Sequence, residues 1–65
     1  MTLGEKVTKL RKLKGFSLID LASIAGVPYV TLYKIEKSAI KNPTVGVMSK
    51  IASVLGVSLD YFREN

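Results

Sequence analysis

"SLIDLASIAGVPYVTLYKIEK", residues 17–37, is the stretch on which the fold turns. Ser17 with Asp20 three positions on has the form of a capping box, so a helix starts there. Leu18, Leu21, Ala22 and Ala25 recur at helical spacing and give that helix one apolar face. Gly26 ends it, because glycine takes the left-handed conformation that closes a helix without a Cβ clash. Pro28 then falls in the first turn of another helix, where its missing N–H has no partner to lose. The connection is about three residues centred on Gly26, and Ala22 and Ala25 are small enough for the two helices to cross closely. Two structures satisfy that spacing: a helix-turn-helix unit and an ordinary αα-hairpin.

The flanking sequence is punctuated in the same way. Thr2 with Glu5 is a second capping box, followed by Leu3, Val7, Leu10 and Leu13 at helical spacing, with lysines on the other faces and Gly15 as the stop. Downstream, "KSAIKNP" reads as a loop, since the residue before Pro43 is pushed out of helical geometry. Thr44 caps a helix with Val47, Met48, Ile51, Ala52 and Leu55 facing inward and Gly56 at its end, and Ser58 caps a last turn, "LDYF". Nothing alternates as a strand would, and no linker or repeat interrupts the chain. The expectation is a single all-α domain over residues 1–65, with helices at about 3–14, 18–25, 28–37, 45–55 and 59–63. Its expected core is Val7, Leu10, Leu21, Ala22, Leu32, Ile35, Val47, Ile51, Leu55 and Phe62.

Composition narrows the function. A chain of 65 residues buries only about 60% of its unfolded surface, yet 48% of its residues are hydrophobic, which points to an exposed apolar patch or a self-association surface. There is no cysteine and no histidine, which removes disulfides, thiolate metal sites and the commonest general base. No Ser–His–Asp set, metal cluster or phosphate-cradling glycine loop is present, so neither catalysis, a metal nor a cofactor is expected. No apolar run approaches the roughly 20 residues of a membrane span and the start lacks a signal peptide's apolar segment, so the expected location is the cytoplasm, without membrane binding. Net charge is +5, unevenly placed: residues 1–50 carry nine bases against three acids, whereas residues 51–65 carry Arg63 against Asp60 and Glu64. A basic body suits a polyanion.

The helix over residues 28–37 shows where that polyanion would sit. At about 100° per residue, Pro28, Thr31, Leu32, Ile35 and Glu36 share one arc, anchored in the core by Leu32 and Ile35. Tyr29, Val30, Tyr33, Lys34 and Lys37 take the opposite arc. Aromatics and a valine interleaved with lysines are a poor face for water and a good one for the major groove. There a tyrosine hydroxyl can bond a base or phosphate, a valine can touch a thymine methyl, and a lysine can neutralise phosphate or bond guanine.

With these residues in view, the chain resembles the lambda-repressor/Cro-like helix-turn-helix family, also called the Xre family, over nearly all of residues 3–62. The segments that carry the resemblance are "LGEKVTKLRKLKGFS", "LASIAGVPYVTLYKIEKS" and "NPTVGVMSKIASVLGVSLDYF". The resemblance implies a compact five-helix domain whose third helix reads double-stranded DNA through Tyr29, Val30, Tyr33 and Lys34, with Pro28 and Thr31 at the margins. It also implies an ion pair between Arg11 in the first helix and Glu36 at the end of the third, which a partly buried Glu36 would need. The chain departs from the family in three places: Leu18 stands where a glutamine often opens the second helix, Ser38 follows the glutamate where glycine is usual, and Gly46 falls inside the fourth helix, where it should weaken the helix or permit a close approach.

Phosphate contacts are expected from Ser17, Thr31, Lys37, Lys41, Asn42 and Thr44, because loop amides, helix N-termini and lysines turn positive charge outward. The expected function is a homodimeric transcriptional repressor or controller. Its copies would meet through Val57, Leu59 and Tyr61, in the part of the chain that is not basic, with Ile40 and Val45, in and just after the loop, extending the patch. No small-molecule ligand is expected. The alternative is a protein-interaction module, antitoxin-like or scaffold, with weak or no specific DNA binding; the absence of glutamine and the apolar content favour it.

Overall fold

The computed structural model describes residues 1–63, so Glu64, one of the two acids counted in the tail, lies outside the described residues. Side-chain hydrogen bonds set the starts of three of the helices. For α1 (Leu3–Leu13), the Thr2 N–H donates to Glu5 Oε1 at 2.9 Å and the Glu5 N–H to Thr2 Oγ1 at 3.1 Å. For α2 (Leu18–Ala25), Ser17 and Asp20 exchange the same two bonds. The Val47 N–H donates to Thr44 Oγ1 to start α4 (Val45–Leu55), which follows α3 (Tyr29–Glu36); α5 (Leu59–Arg63) completes the chain. Gly26 takes φ +71°, with the Val27 N–H donating back to the Ala22 carbonyl, which turns the chain sharply between α2 and α3.

Three ends differ from the sequence expectation, the first in α1, where Lys14 is the cap and not part of the helix. Pro28 caps α3 rather than joining it, since its ψ of 137° is extended. Lys37 caps the other end, and Ser38 follows at φ +63°, the one non-glycine among the described residues with a positive φ. The Ala39 and Ile40 N–H groups both donate to the Lys34 carbonyl, closing α3 in the manner glycine would allow without strain.

No strand occurs among the described residues, and the five helices fill 26 × 22 × 20 Å. α3 packs on α1 and α2, α4 on α2, and α5 closes against α1 and α4. The buried core is Val7, Leu21, Ala22, Ala25, Val27, Leu32, Ile35, Met48, Ile51, Ala52, Leu55 and Phe62. Leu10 and Val47, expected inside, are half-buried and pack against the edge of that cluster. Leu13, at the last position of α1, is exposed. Beyond the backbone of its own helix, a Cβ added at Gly46 would meet only Thr44 Oγ1, at an ordinary 4.0 Å, so of the two expectations for it the close approach is absent. No helix of the described residues is long and apolar enough to cross a membrane.

Candidate nucleic-acid interface

α3 is held from three sides. Its inner face is Leu32 and Ile35, both fully buried. Where α1 crosses its C-terminal end, Gly4 supplies the clearance: a Cβ there would stand 2.5 Å from the Ile35 carbonyl oxygen and 2.7 Å from that of Glu36. The third restraint is ionic. Arg11 Nε donates to Glu36 Oε2 at 2.7 Å and Nη2 to Oε1 at 3.1 Å, while Nη1 donates to the Phe16 carbonyl at 2.9 Å. Thr8 Oγ1 lies 2.9 Å from both Glu36 Oε1 and the Gly4 carbonyl, one proton serving two acceptors. One guanidinium thus fastens α1 both to the end of α3 and to the turn entering α2. The side chains of Arg11 and Glu36 are only 13% and 6% exposed, and no buried side-chain nitrogen or oxygen among the described residues lacks a partner.

The outer face of α3 is open. Tyr29, Val30 and Tyr33 are 47%, 58% and 44% exposed, and Lys34 and Lys37 are exposed beside them. The Tyr29 and Tyr33 rings lie one turn apart, stacked with centroids 6.4 Å apart and planes 24° off parallel. Lys37 Nζ sits 5.8 Å from the centre of the Tyr33 ring, continuing the row. Thr31 is half-buried at the margin of this face.

The residues expected on phosphate fall into two groups. Lys41 and Asn42 are exposed in the loop between α3 and α4, and Thr44 follows at the N-terminus of α4, whose first turn holds no acid. Ser17 is exposed at the N-terminus of α2, but Asp20 occupies that terminus and accepts from the Ser17 N–H at 3.4 Å, so a second anion there meets a carboxylate. Leu18, in the place of the family's glutamine, is half-buried against the core and offers nothing polar.

The residues expected at a dimer contact lie far along the chain from α3. Val57 and Leu59 are half-buried against the core edge, and Tyr61 is 36% exposed with its ring edge-on to Phe62. Val45 is exposed and Ile40 half-buried. Val45, Pro43, Leu3, Met48, Leu59 and Phe62 are among the residues lining an open groove of about 400 Å³.

Three structural roles were missed in the sequence. Lys6 is buried although the α1 lysines are expected on the faces away from the apolar stripe: its Nζ donates to the Tyr61 carbonyl at 3.1 Å and lies 5.3 Å from the centre of that ring. Gly4, at the second position of α1, is a contact glycine, which nothing local in the sequence marks. Thr8 was not singled out, although Gly4, Thr8 and Arg11 share the i, i+4, i+7 spacing of one helix face, which was the available signal.

A family model described as helix-turn-helix matches residues 7–62. Over 57 residues the chain is 39% identical to the HTH-type transcriptional regulator SinR of Bacillus subtilis, covering 88% of this chain and 51% of that protein. It is 40% identical over 62 residues to the uncharacterised HTH-type transcriptional regulator RP497 of Rickettsia prowazekii, covering 95% and 47% respectively. The chain therefore spans about half the length of the curated relatives it matches. A crystal structure of SinR, described as the master regulator for biofilm formation in complex with DNA, aligns with a TM-score of 0.93 at 35% identity, over 97% of this chain and 100% of that one. Matched over residues 7–62 and sharing its five-helix arrangement with SinR, the chain belongs to the lambda-repressor/Cro-like, or Xre, helix-turn-helix family.

Proposed function

We propose that this chain is a sequence-specific regulator of transcription that binds double-stranded DNA as a homodimer, acting in the cytoplasm as a repressor or controller and not as an enzyme. The observation that carries the reading is the division of α3: its inner side is locked by Leu32, Ile35 and the Glu36 ion pair, while its outer side presents exposed aromatic, aliphatic and ammonium groups. A rigid helix with such a face fits the major groove, where Tyr29, Val30, Tyr33 and Lys34 meet base edges. Lys37, Lys41, Asn42, Thr44 and the free amides at the start of α4 meet the flanking phosphates, with Thr31 and Ser17 at the margins. The similarity to SinR, which is named an HTH-type transcriptional regulator and has been solved in complex with DNA, supports the same reading.

Selection of bound duplexes from a random pool, followed by salt titration of the winner, tests it. Binding should weaken steeply with salt, since each neutralised phosphate releases counterions. Lys41→Ala should weaken binding to every duplex alike and flatten the log–log slope by about one unit. A pool that yields no preferred duplex and no salt dependence would leave the protein-interaction alternative standing.

A further inference from the structure

The reading face is unusual in what it lacks. Between residues 29 and 37 there is no arginine, asparagine or glutamine, the planar forked side chains that bond guanine or adenine, and Lys34 and Lys37 are the ammonium donors that stretch holds. The chain has no glutamine at all. Its two arginines are engaged elsewhere, Arg11 with Glu36 and Arg63 with Asp60 at 3.6 Å. Of its two asparagines, Asn42 is in the loop after α3 and Asn65 lies outside the described residues. What α3 does present is apolar at its centre. Val30 stands almost opposite the buried Leu32–Ile35 pair and is 58% exposed, and the stacked rings of Tyr29 and Tyr33 flank it. Lys34 and Lys37 border this strip, and Lys37 is drawn over the Tyr33 ring. A polyanion therefore meets ammonium groups at the border and methyl and ring carbons in the middle.

The major groove offers one alkyl group among the four bases, the C5-methyl of thymine. We infer that this chain takes its sequence preference chiefly from C5-methyl groups, packed against Val30 and the Tyr29–Tyr33 pair, with tyrosine hydroxyls and Lys34 adding single hydrogen bonds. The inference rests on the DNA-binding reading and goes beyond it, because it names the chemical group that is read. It extends to 5-methylcytosine, which carries the same methyl at the same groove position. Removing one buried methyl costs roughly a CH₂ of transfer free energy, which corresponds to a three- to fivefold loss of affinity per contacted base.

The test uses the duplex that the chain selects from a random pool. Each thymine is replaced in turn by uracil, which keeps Watson–Crick pairing and the O4 acceptor and deletes only the methyl. Three- to fivefold weakening at one or more positions, with the salt slope unchanged, is the expected result. In the exposed variant Val30→Ala, checked for folding by circular dichroism, sensitivity to uracil should vanish at one of those positions. At that position, 5-methylcytosine should bind more tightly than cytosine. A duplex with uracil throughout that binds within twofold of its thymine counterpart overturns the inference while leaving DNA binding intact. Uracil sensitivity that persists unchanged in Val30→Ala, Tyr29→Ala and Tyr33→Ala overturns it as well. Failure to enrich any duplex removes the DNA-binding reading itself, and this inference with it.

Discussion

Glu36 is the residue whose surroundings are most exacting. Its carboxylate is nearly buried, and it receives two bonds from Arg11 and lies within hydrogen-bond reach of Thr8. Removing either partner leaves the other charge out of water without compensation, so Arg11→Ala or Glu36→Ala should each destabilise the fold by about 3 kcal/mol or more. A double-mutant cycle by chemical denaturation checks this. The two losses should be far from additive, and additivity would reduce the pair to independent surface charges. Ser38 poses the opposite case. It holds φ +63° with a Cβ in place, a strained conformation that glycine would occupy freely. Ser38→Gly should therefore raise stability by about 1 kcal/mol, the relieved strain exceeding the added freedom of the unfolded chain. A fall in the denaturation midpoint would mean that the Ser38 side chain contributes something its backbone bonds do not reveal.

Among the helices, α1 is the one that sets how α3 is presented. Gly4 lets α1 approach the last carbonyls of α3, and Gly4→Ala would force a Cβ onto backbone atoms that have no side-chain freedom to yield. The expected cost is about 1–3 kcal/mol, and because α3 must shift, weaker binding to the selected duplex should accompany it even under conditions where the variant is fully folded. Normal stability together with normal binding would show that α1 and α3 are not held at that distance. Gly4 also marks where sequence reading stops. The capping boxes at Thr2–Glu5 and Ser17–Asp20 were legible because each is closed within four residues and needs no knowledge of the rest of the chain. The exposed row Tyr29, Val30, Tyr33 was legible because Leu32 and Ile35 fix the rotation of a short helix. The close contact at Gly4 and the burial of Lys6 depend on which other helix arrives there, about 30 and 55 residues away in the chain, and local periodicity holds no record of that. Leu10 and Val47 fell to the edge for the same reason: periodicity gives the face of a helix, whereas the depth of each position on that face depends on its neighbours.

At the scale of the whole molecule, the question is how a chain this small singles out a site. One α3 spans only a few base pairs, and each correct contact contributes roughly 1–3 kcal/mol, which leaves a single copy hard to distinguish from non-specific binding. Two copies related by a two-fold axis double the contacts and fix half-sites about one helical turn apart. The chain offers a surface for this on the side formed by α4 and α5, where Val45 is exposed beside a groove lined by Leu59 and Phe62, and Tyr61 is partly exposed nearby in α5. Residues 51–65 are also the stretch whose charges do not repel a second basic copy. Leu59 is half-buried in its own core, so a charged replacement there would confuse misfolding with lost association. Val45 is the cleaner probe, being 65% exposed, and a neutral replacement there keeps the start of α4, assigned to phosphate, free of an added anion. Val45→Ser should leave the thermal midpoint close to that of the parent, weaken the dimer seen by sedimentation at micromolar concentration, and lower binding to a two-half-site duplex more than to a single half-site. Tyr61→Glu should act in the same direction. If the parent remains a monomer on its two-fold duplex, or if both variants dimerise as the parent does, the α4–α5 surface is not where the copies meet.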